Sequence, residues 1–269
     1  MPSAKVNGVN IYYEVHGKGE PLILIMGLGG PGSGWFFQIR AFSKHYKVIV
    51  LDNRGVGKSS KPKEPYTVRT MADDIISLMD HLDIDKAHIM GTSLGGMIAQ
   101  ELVISYPQRV DKLVLVCTLA ETGNINDSVV QQMGLKADAS EEDFDALDSM
   151  DLKQVMSAVM SLAFNRRLFK LFMVPVFRLA LRFLGVEGIQ GQLRATNSHS
   201  TVDRLNQIKA STLVIAGTGD RIIPFSASEI LAERIPNARL VKFEGGSHAF
   251  FVETSGRFNK AVLDFLKET

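Results

Sequence analysis

The sequence predicts an α/β protein: a mostly parallel, twisted sheet with helices on both faces and a helical block inserted late in the chain. Three observations carry this. The stretches Leu22 to Met26, Lys47 to Leu51, Ala87 to Met90, Lys112 to Val116 and Leu213 to Gly217 are short and nearly continuously apolar, as strands buried on both faces read. Most are separated by segments with apolar residues at helical spacing. From about Glu121 to Ser200 the strand signal vanishes and a helical pattern takes over, after which strands resume.

Taken in order, a first strand runs from about Val9 to Val15, and the Gly17 to Gly19 turn makes it one arm of an N-terminal hairpin, the antiparallel edge of the sheet. The strands near Leu22 and Lys47 follow. Thr70 to Leu82 places Met71, Ile75, Leu78, Met79 and Leu82 on one helical face. After the strand at Ala87 comes a helix-like stretch, Met97 to Ser105, then the strand ending at Val116. Leu213 to Gly217 and Ala238 to Phe243 are the last strands, with a helix-like Ser226 to Ile235 between them. Phe258, Val262, Phe265 and Leu266 mark a closing helix. Residues 1–120 and 201–269 thus form the core, and residues 121–200 the insertion.

Gly91-Thr92-Ser93-Leu94-Gly95 sits where the apolar run Ala87 to Met90 turns into a helix. Glycines two residues before and after the serine allow a tight turn that pushes its side chain out of the backbone, and a Cβ at either site would crowd it. A serine hydroxyl is a weak nucleophile at neutral pH, so this reading requires a base and a carboxylate to orient it. Asp220 follows the strand Leu213 to Gly217, and His248 follows the strand Ala238 to Phe243.

In that order, Ser93, Asp220, His248, the chain resembles the α/β-hydrolase family, whose nucleophile, acid and base each follow a strand. The resemblance extends from about Val9 to Phe265. It implies that His248 takes the Ser93 proton, that Asp220 holds the imidazole, and that the insertion is a cap over the catalytic end of the sheet. It also implies an oxyanion hole built from the amides of Leu94 and Leu28, the latter in the loop Gly27-Leu28-Gly29-Gly30. Many members carry His-Gly before that donor; here Met26-Gly27 stands instead, which leaves the bracing of the loop open. The orienting acid has an alternative position at Glu121, after the earlier strand.

Two glycine patterns suggest other chemistry. Gly27-Leu28-Gly29-Gly30-Pro31-Gly32 matches a dinucleotide-binding turn, with Asp52 ending the next strand about 20 residues on. That reading leaves Ser93, Asp220 and His248 unexplained, whereas the hydrolase reading uses the same glycines. Gly55-Val56-Gly57-Lys58-Ser59 resembles the tail of a P-loop but has Asp52 where the first glycine is required. It reads as a structural turn.

Within the insertion, Glu141, Glu142 and Asp143 form an acidic run, and Arg166, Arg167, Lys170, Arg178 and Arg182 are interleaved with apolar residues. Met156, Met160, Phe164, Phe172, Met173 and Phe177 read as an oily cover, because a cap that excludes water must turn apolar surface toward the substrate.

Composition narrows the function further. A formal net charge of +1 over 269 residues supplies no field to gather nucleic acid, and the single cysteine, Cys117, reads as a small core side chain. The first residues lack an apolar leader and no run approaches a membrane span, so a cytoplasmic protein without stable membrane association is expected. No cofactor or metal is called for. His16, His45, His81, His88 and His199 follow no late strand and read as structural or surface residues. The expected activity is hydrolysis of a small to medium, mostly apolar carboxylic ester or lactone through an acyl-enzyme. The same triad would also serve a carbon–carbon bond hydrolase or a perhydrolase, and the same fold could act as a small-molecule receptor. The scissile bond, the natural substrate and the oligomeric state are not written in these motifs.

Overall fold

The computed structural model of the chain describes residues 2–122, 152–166, 171, 187–197 and 199–268. Eight strands form one sheet in the order β1-β2-β4-β3-β5-β6-β7-β8. They are β1 (Ser3–Val6), β2 (Val9–His16), β3 (Pro21–Ile25), β4 (Lys47–Leu51), β5 (Ala87–Thr92), β6 (Val110–Val116), β7 (Ser211–Gly217) and β8 (Ala238–Phe243). From β4 through β8 every neighbouring pair is parallel.

The antiparallel edge differs from the sequence expectation. Its hairpin is β1 with β2, closed at Asn7-Gly8, where both residues have positive φ (44° and 78°) as a tight two-residue turn requires. The Gly17 to Gly19 turn makes no hairpin, because β2 pairs with β4 and not with β3. Strand β4 lies between them.

Strand residues alternate between two cores, the second of which takes in helix α1 (Phe36–Phe42). Ile23, Ile25, Ile49, Ile89, Leu113 and Leu115 face the helices α2 (Val68–His81) and α3 (Leu94–Ser105), with Met71, Ile75, Leu78, Ile98 and Leu102 packed on them. Leu22, Leu24, Val48, Val50, Val114 and Ile215 face the other way, against Trp35, Phe42, Phe250, Phe258 and Phe265. Burial on both faces is why these strands read as continuous apolar runs. Each fully buried leucine, isoleucine or phenylalanine contributes roughly 1.5–3 kcal/mol of transfer free energy.

Two described α-helices lie between β6 and β7: α4 (Leu152–Ala163) and α5 (Glu187–Asn197). The acidic run Glu141, Glu142 and Asp143 lies outside the described residues, as do Arg167, Lys170, Arg178, Arg182, Phe172, Met173 and Phe177. Among the described residues no helix is long and apolar enough to cross a membrane.

Candidate active site

Because β3 and β5 to β8 run parallel, the loops that follow them emerge at one end of the sheet. Ser93 is the first of these positions. Its φ of 53° and ψ of −123° put a β-substituted residue where few are found, at a cost on the order of 1–3 kcal/mol. The neighbours hold it there: its N–H donates to Val116 O at 3.0 Å, and its carbonyl accepts from Gly96 N at 2.8 Å and Thr118 Oγ1 at 2.7 Å. The flanking glycines are obligatory. A Cβ on Gly91 would lie 2.1 Å from Gly95 O, and one on Gly95 would lie 2.2 Å from Ile25 O. Although Ser93 occupies the N-cap of α3, its hydroxyl makes no capping bond, so helix formation does not consume it.

Asp220 and His248 come from the next two loops. A Cβ on Gly217 would lie 2.2 Å from Gly246 O, so the two loops touch through glycine backbones, and Gly219 N donates to Gly246 O at 2.9 Å. Asp220 Oδ1 accepts the N–H groups of Ile222 and Ile223 at 2.8 and 3.0 Å, while Oδ2 lies 2.7 Å from His248 Nδ1. A carboxylate only accepts, so Nδ1 carries a proton, and in the neutral imidazole Nε2 is the bare nitrogen. Glu121 is the alternative acid that the sequence allowed; it pairs by its backbone with Ser200, and the carboxylate against His248 is that of Asp220.

Cys117, read from the sequence as core filler, is buried but also structural in a second way. At φ 42° its Sγ–H donates to the His248 carbonyl at 3.1 Å, and burial pushes its thiol pKa well up. Among the described residues, Cys117, Asp220 and His248 form a group whose ligand atoms lie within 4.8 Å of one another. With the thiol held protonated and Asp220 Oδ1 given to two amides, that set is poorly suited to a metal.

Ser93 and His248 open onto one cavity of about 310 Å³. Leu28, Leu94 and Met97 line it from the core, Val159, Met160 and Phe164 from α4 and its end, and Leu193 and Thr196 from α5. Leu28 and Leu94 are therefore beside Ser93, and a Cβ on Gly27 would come within 3.1 Å of the serine Cβ.

Several polar residues that secure these loops escaped the sequence reading. Asn165 Nδ2 donates to Gly219 O and Gly245 O at 2.9 and 3.2 Å, joining the acid and histidine loops. Arg221 reaches the carbonyls of Leu162 and Phe164 at the end of α4. Ser247 Oγ donates to the buried carboxylate of Glu253 at 2.6 Å. Gln192 on α5 accepts from Gly29 N and donates to Arg54 O, both at 2.9 Å. Apart from Ser247 and Glu253, which are six residues apart, the partners are far apart in sequence, so no local pattern announces them.

The two decoys resolve into packing. Asp52 spends its carboxylate on Gly32 N at 2.8 Å and Lys58 N at 2.9 Å, and a Cβ on Gly32 would strike the Leu51 backbone at 2.8 Å. These glycines let two loops lie flat on each other, and Ser59 Oγ closes the second loop on Asp52 O.

Comparison with known proteins identifies the family. The family model described as alpha/beta hydrolase fold matches residues 20–255, and the chain belongs to the α/β-hydrolase fold family. It is a hydrolase of that fold. A relative from Caulobacter sp. (strain K31), named "Putative carbamate hydrolase RutD", is 32% identical over 99% of this chain and 98% of its own. A hydrolase from Pseudomonas aeruginosa PA01 superposes with a TM-score of 0.87 at 30% identity, covering 99% of this chain and 98% of its own. The enol-lactonase from Burkholderia xenovorans LB400 gives 0.85 at 29% identity, covering 99% of this chain and 100% of its own.

Proposed function

We propose that this chain is a serine hydrolase that cleaves a small to medium, mostly apolar carboxylic ester or lactone through an acyl-enzyme. One observation carries the proposal: a serine hydroxyl not used by its own helix faces an apolar cavity that also exposes a histidine whose Nδ1 is tied to a buried carboxylate. Ser93 Oγ adds to the carbonyl carbon while His248 Nε2 takes its proton, and Asp220 stabilises the imidazolium that results. The amides of Leu28 and Leu94 receive the negative oxygen, a contribution of several kcal/mol when such donors are fixed in advance. Collapse expels the alkoxide, which takes the proton from His248. Water, deprotonated by the same nitrogen, then releases the acid and restores Ser93.

The cavity supports the choice of substrate. Apolar side chains from α4, α5 and the core suit an acyl or alkoxy group of several carbons, and the enol-lactonase among the similar structures acts on a lactone by its name. The carbamate hydrolase relatives favour a second reading, hydrolysis of a carbamate, yet a free carbamate ion is far too small to fill about 310 Å³.

A fluorophosphonate probe followed by mass spectrometry is expected to place the adduct on Ser93. Turnover of p-nitrophenyl butyrate and of simple lactones is expected to exceed that of carbamates. An unlabelled protein that turns over no ester, lactone or carbamate, but binds an apolar ligand equally well after Ser93→Ala, would make it a receptor instead.

A further inference from the structure

We infer that Gln192 is a positioning residue for the oxyanion loop, and that the helix lining the substrate cavity thereby sets the donor at Leu28; this rests on the hydrolase reading above. The sequence left the loop's bracing open, because Met26 replaces a residue that could have made a side-chain hydrogen bond. Three successive peptide planes of that loop are nevertheless pinned. Asn53 Nδ2 donates to Met26 O at 2.9 Å and holds the plane between Met26 and Gly27. Gly30 N donates to Gly27 O at 3.0 Å and holds the plane that carries the Leu28 N–H. Gln192 Oε1 accepts from Gly29 N at 2.9 Å and holds the plane after it.

Two of these braces come from the loops themselves. The third comes from α5. Gln192 is fully buried, and its Nε2 is fixed on Arg54 O, so its oxygen cannot wander. Backbone contact puts it within reach: a Cβ on Gly188 would lie 1.8 Å from Gly55 O, so the start of α5 presses directly on the loop at Gly55, itself at φ 89°. Gly29 is buried at φ 65°, and without an acceptor its N–H would be an unsatisfied buried donor, free to turn the adjoining plane. Since Leu193 and Thr196 of the same helix line the cavity, the segment that meets the substrate also aims the amide before Gly29.

The test compares wild type, Gln192→Met, which removes both bonds at similar volume, and Gln192→Glu, which keeps an acceptor for Gly29. Gln192→Met is expected to lower kcat on p-nitrophenyl butyrate by about tenfold to a hundredfold, short of the ~10²–10³ seen when a donor is deleted outright. KM should change little, affinity for a boronic acid transition-state analogue should fall with kcat, and Gln192→Glu should recover most of both. Independently of activity, amide hydrogen exchange in residues 27–30 should quicken in Gln192→Met. Unchanged exchange overturns the inference even if the protein proves to have no esterase activity. Exchange that quickens while kcat and analogue affinity stay at wild-type values, or a loss seen in KM alone, overturns the link to the oxyanion donor. An unlabelled wild type in the fluorophosphonate experiment ends the serine-nucleophile reading without touching the exchange result.

Discussion

His248 Nδ1 lies 2.7 Å from Asp220 Oδ2, and the acid's other oxygen is held by two consecutive amides, so the carboxylate has one orientation and the imidazole one tautomer. Asp220→Asn preserves the amide bonds but turns an NH₂ toward Nδ1–H. The ring must then carry its proton on Nε2, which removes the base. We expect kcat to fall by about 10⁴-fold with the fold intact. Circular dichroism alongside ester turnover checks this; full activity in Asp220→Asn with loss in Glu121→Gln would move the acid to Glu121.

Ser93 supplies a test on stability as well as activity. Ser93→Ala should abolish the fluorophosphonate adduct and lower turnover by at least about 10³-fold. Ser93→Gly should be inactive too, yet more stable than the alanine variant by on the order of 1 kcal/mol, because glycine tolerates φ 53° without strain. Equal melting temperatures for the two variants would mean the elbow stores no strain.

Met160 projects from α4 into the cavity. Enlarging it to tryptophan removes space from the acyl pocket and leaves Ser93 and its partners untouched. For Met160→Trp, kcat/KM on p-nitrophenyl hexanoate should fall about tenfold or more relative to the acetate, since a lost methylene contact is worth about 1 kcal/mol or more. An unchanged ratio would place the acyl chain elsewhere.

Stability should fall as the solution is acidified from neutral. Burial holds the His199 pKa down to about 4, against the opposing pull of Glu101, and burial also lowers that of His88. The unfolded chain binds protons on these imidazoles below about pH 6.5, while folded His199 refuses one until near 4. Folding free energy is therefore lost between those limits, up to roughly 3 kcal/mol for His199. Melting curves from pH 7 to 4.5 should show His199→Gln losing less than wild type over this window; identical slopes would assign the loss to other groups.

The parallel sheet was legible because strands covered on both faces leave unbroken apolar runs, and the positions of Ser93 and Asp220 because each follows such a run. His248 follows the half-exposed edge strand β8, where Arg239 and Lys242 break the apolar pattern, and was picked out by its place after the last strand. The N-terminal edge was misread. Asn7-Gly8 is a strong hairpin signal, but β1 has only the four residues Ser3–Val6, too few to show a pattern, and the Gly17 to Gly19 turn drew attention instead. Helix α2 begins at Val68, before its first clear apolar repeat, because Thr67 and Thr70 form a reciprocal cap. Gln192, Asn165 and Arg221 were illegible for another reason: each bonds a backbone atom between 54 and 163 residues away, and such pairings exist only after the chain has folded.

Asn165, Arg221 and Gln192 fasten the segment between β6 and β7 to the same loops that carry the acid, the histidine and the glycines beside the serine. A chimera that exchanges this segment for another hydrolase's, in order to import a new specificity, would therefore import new moorings for the proton-transfer groups as well. Grafts whose junctions keep Asn165 and Gln192 in place should retain turnover, and those that cut inside these anchors should trade rate for selectivity.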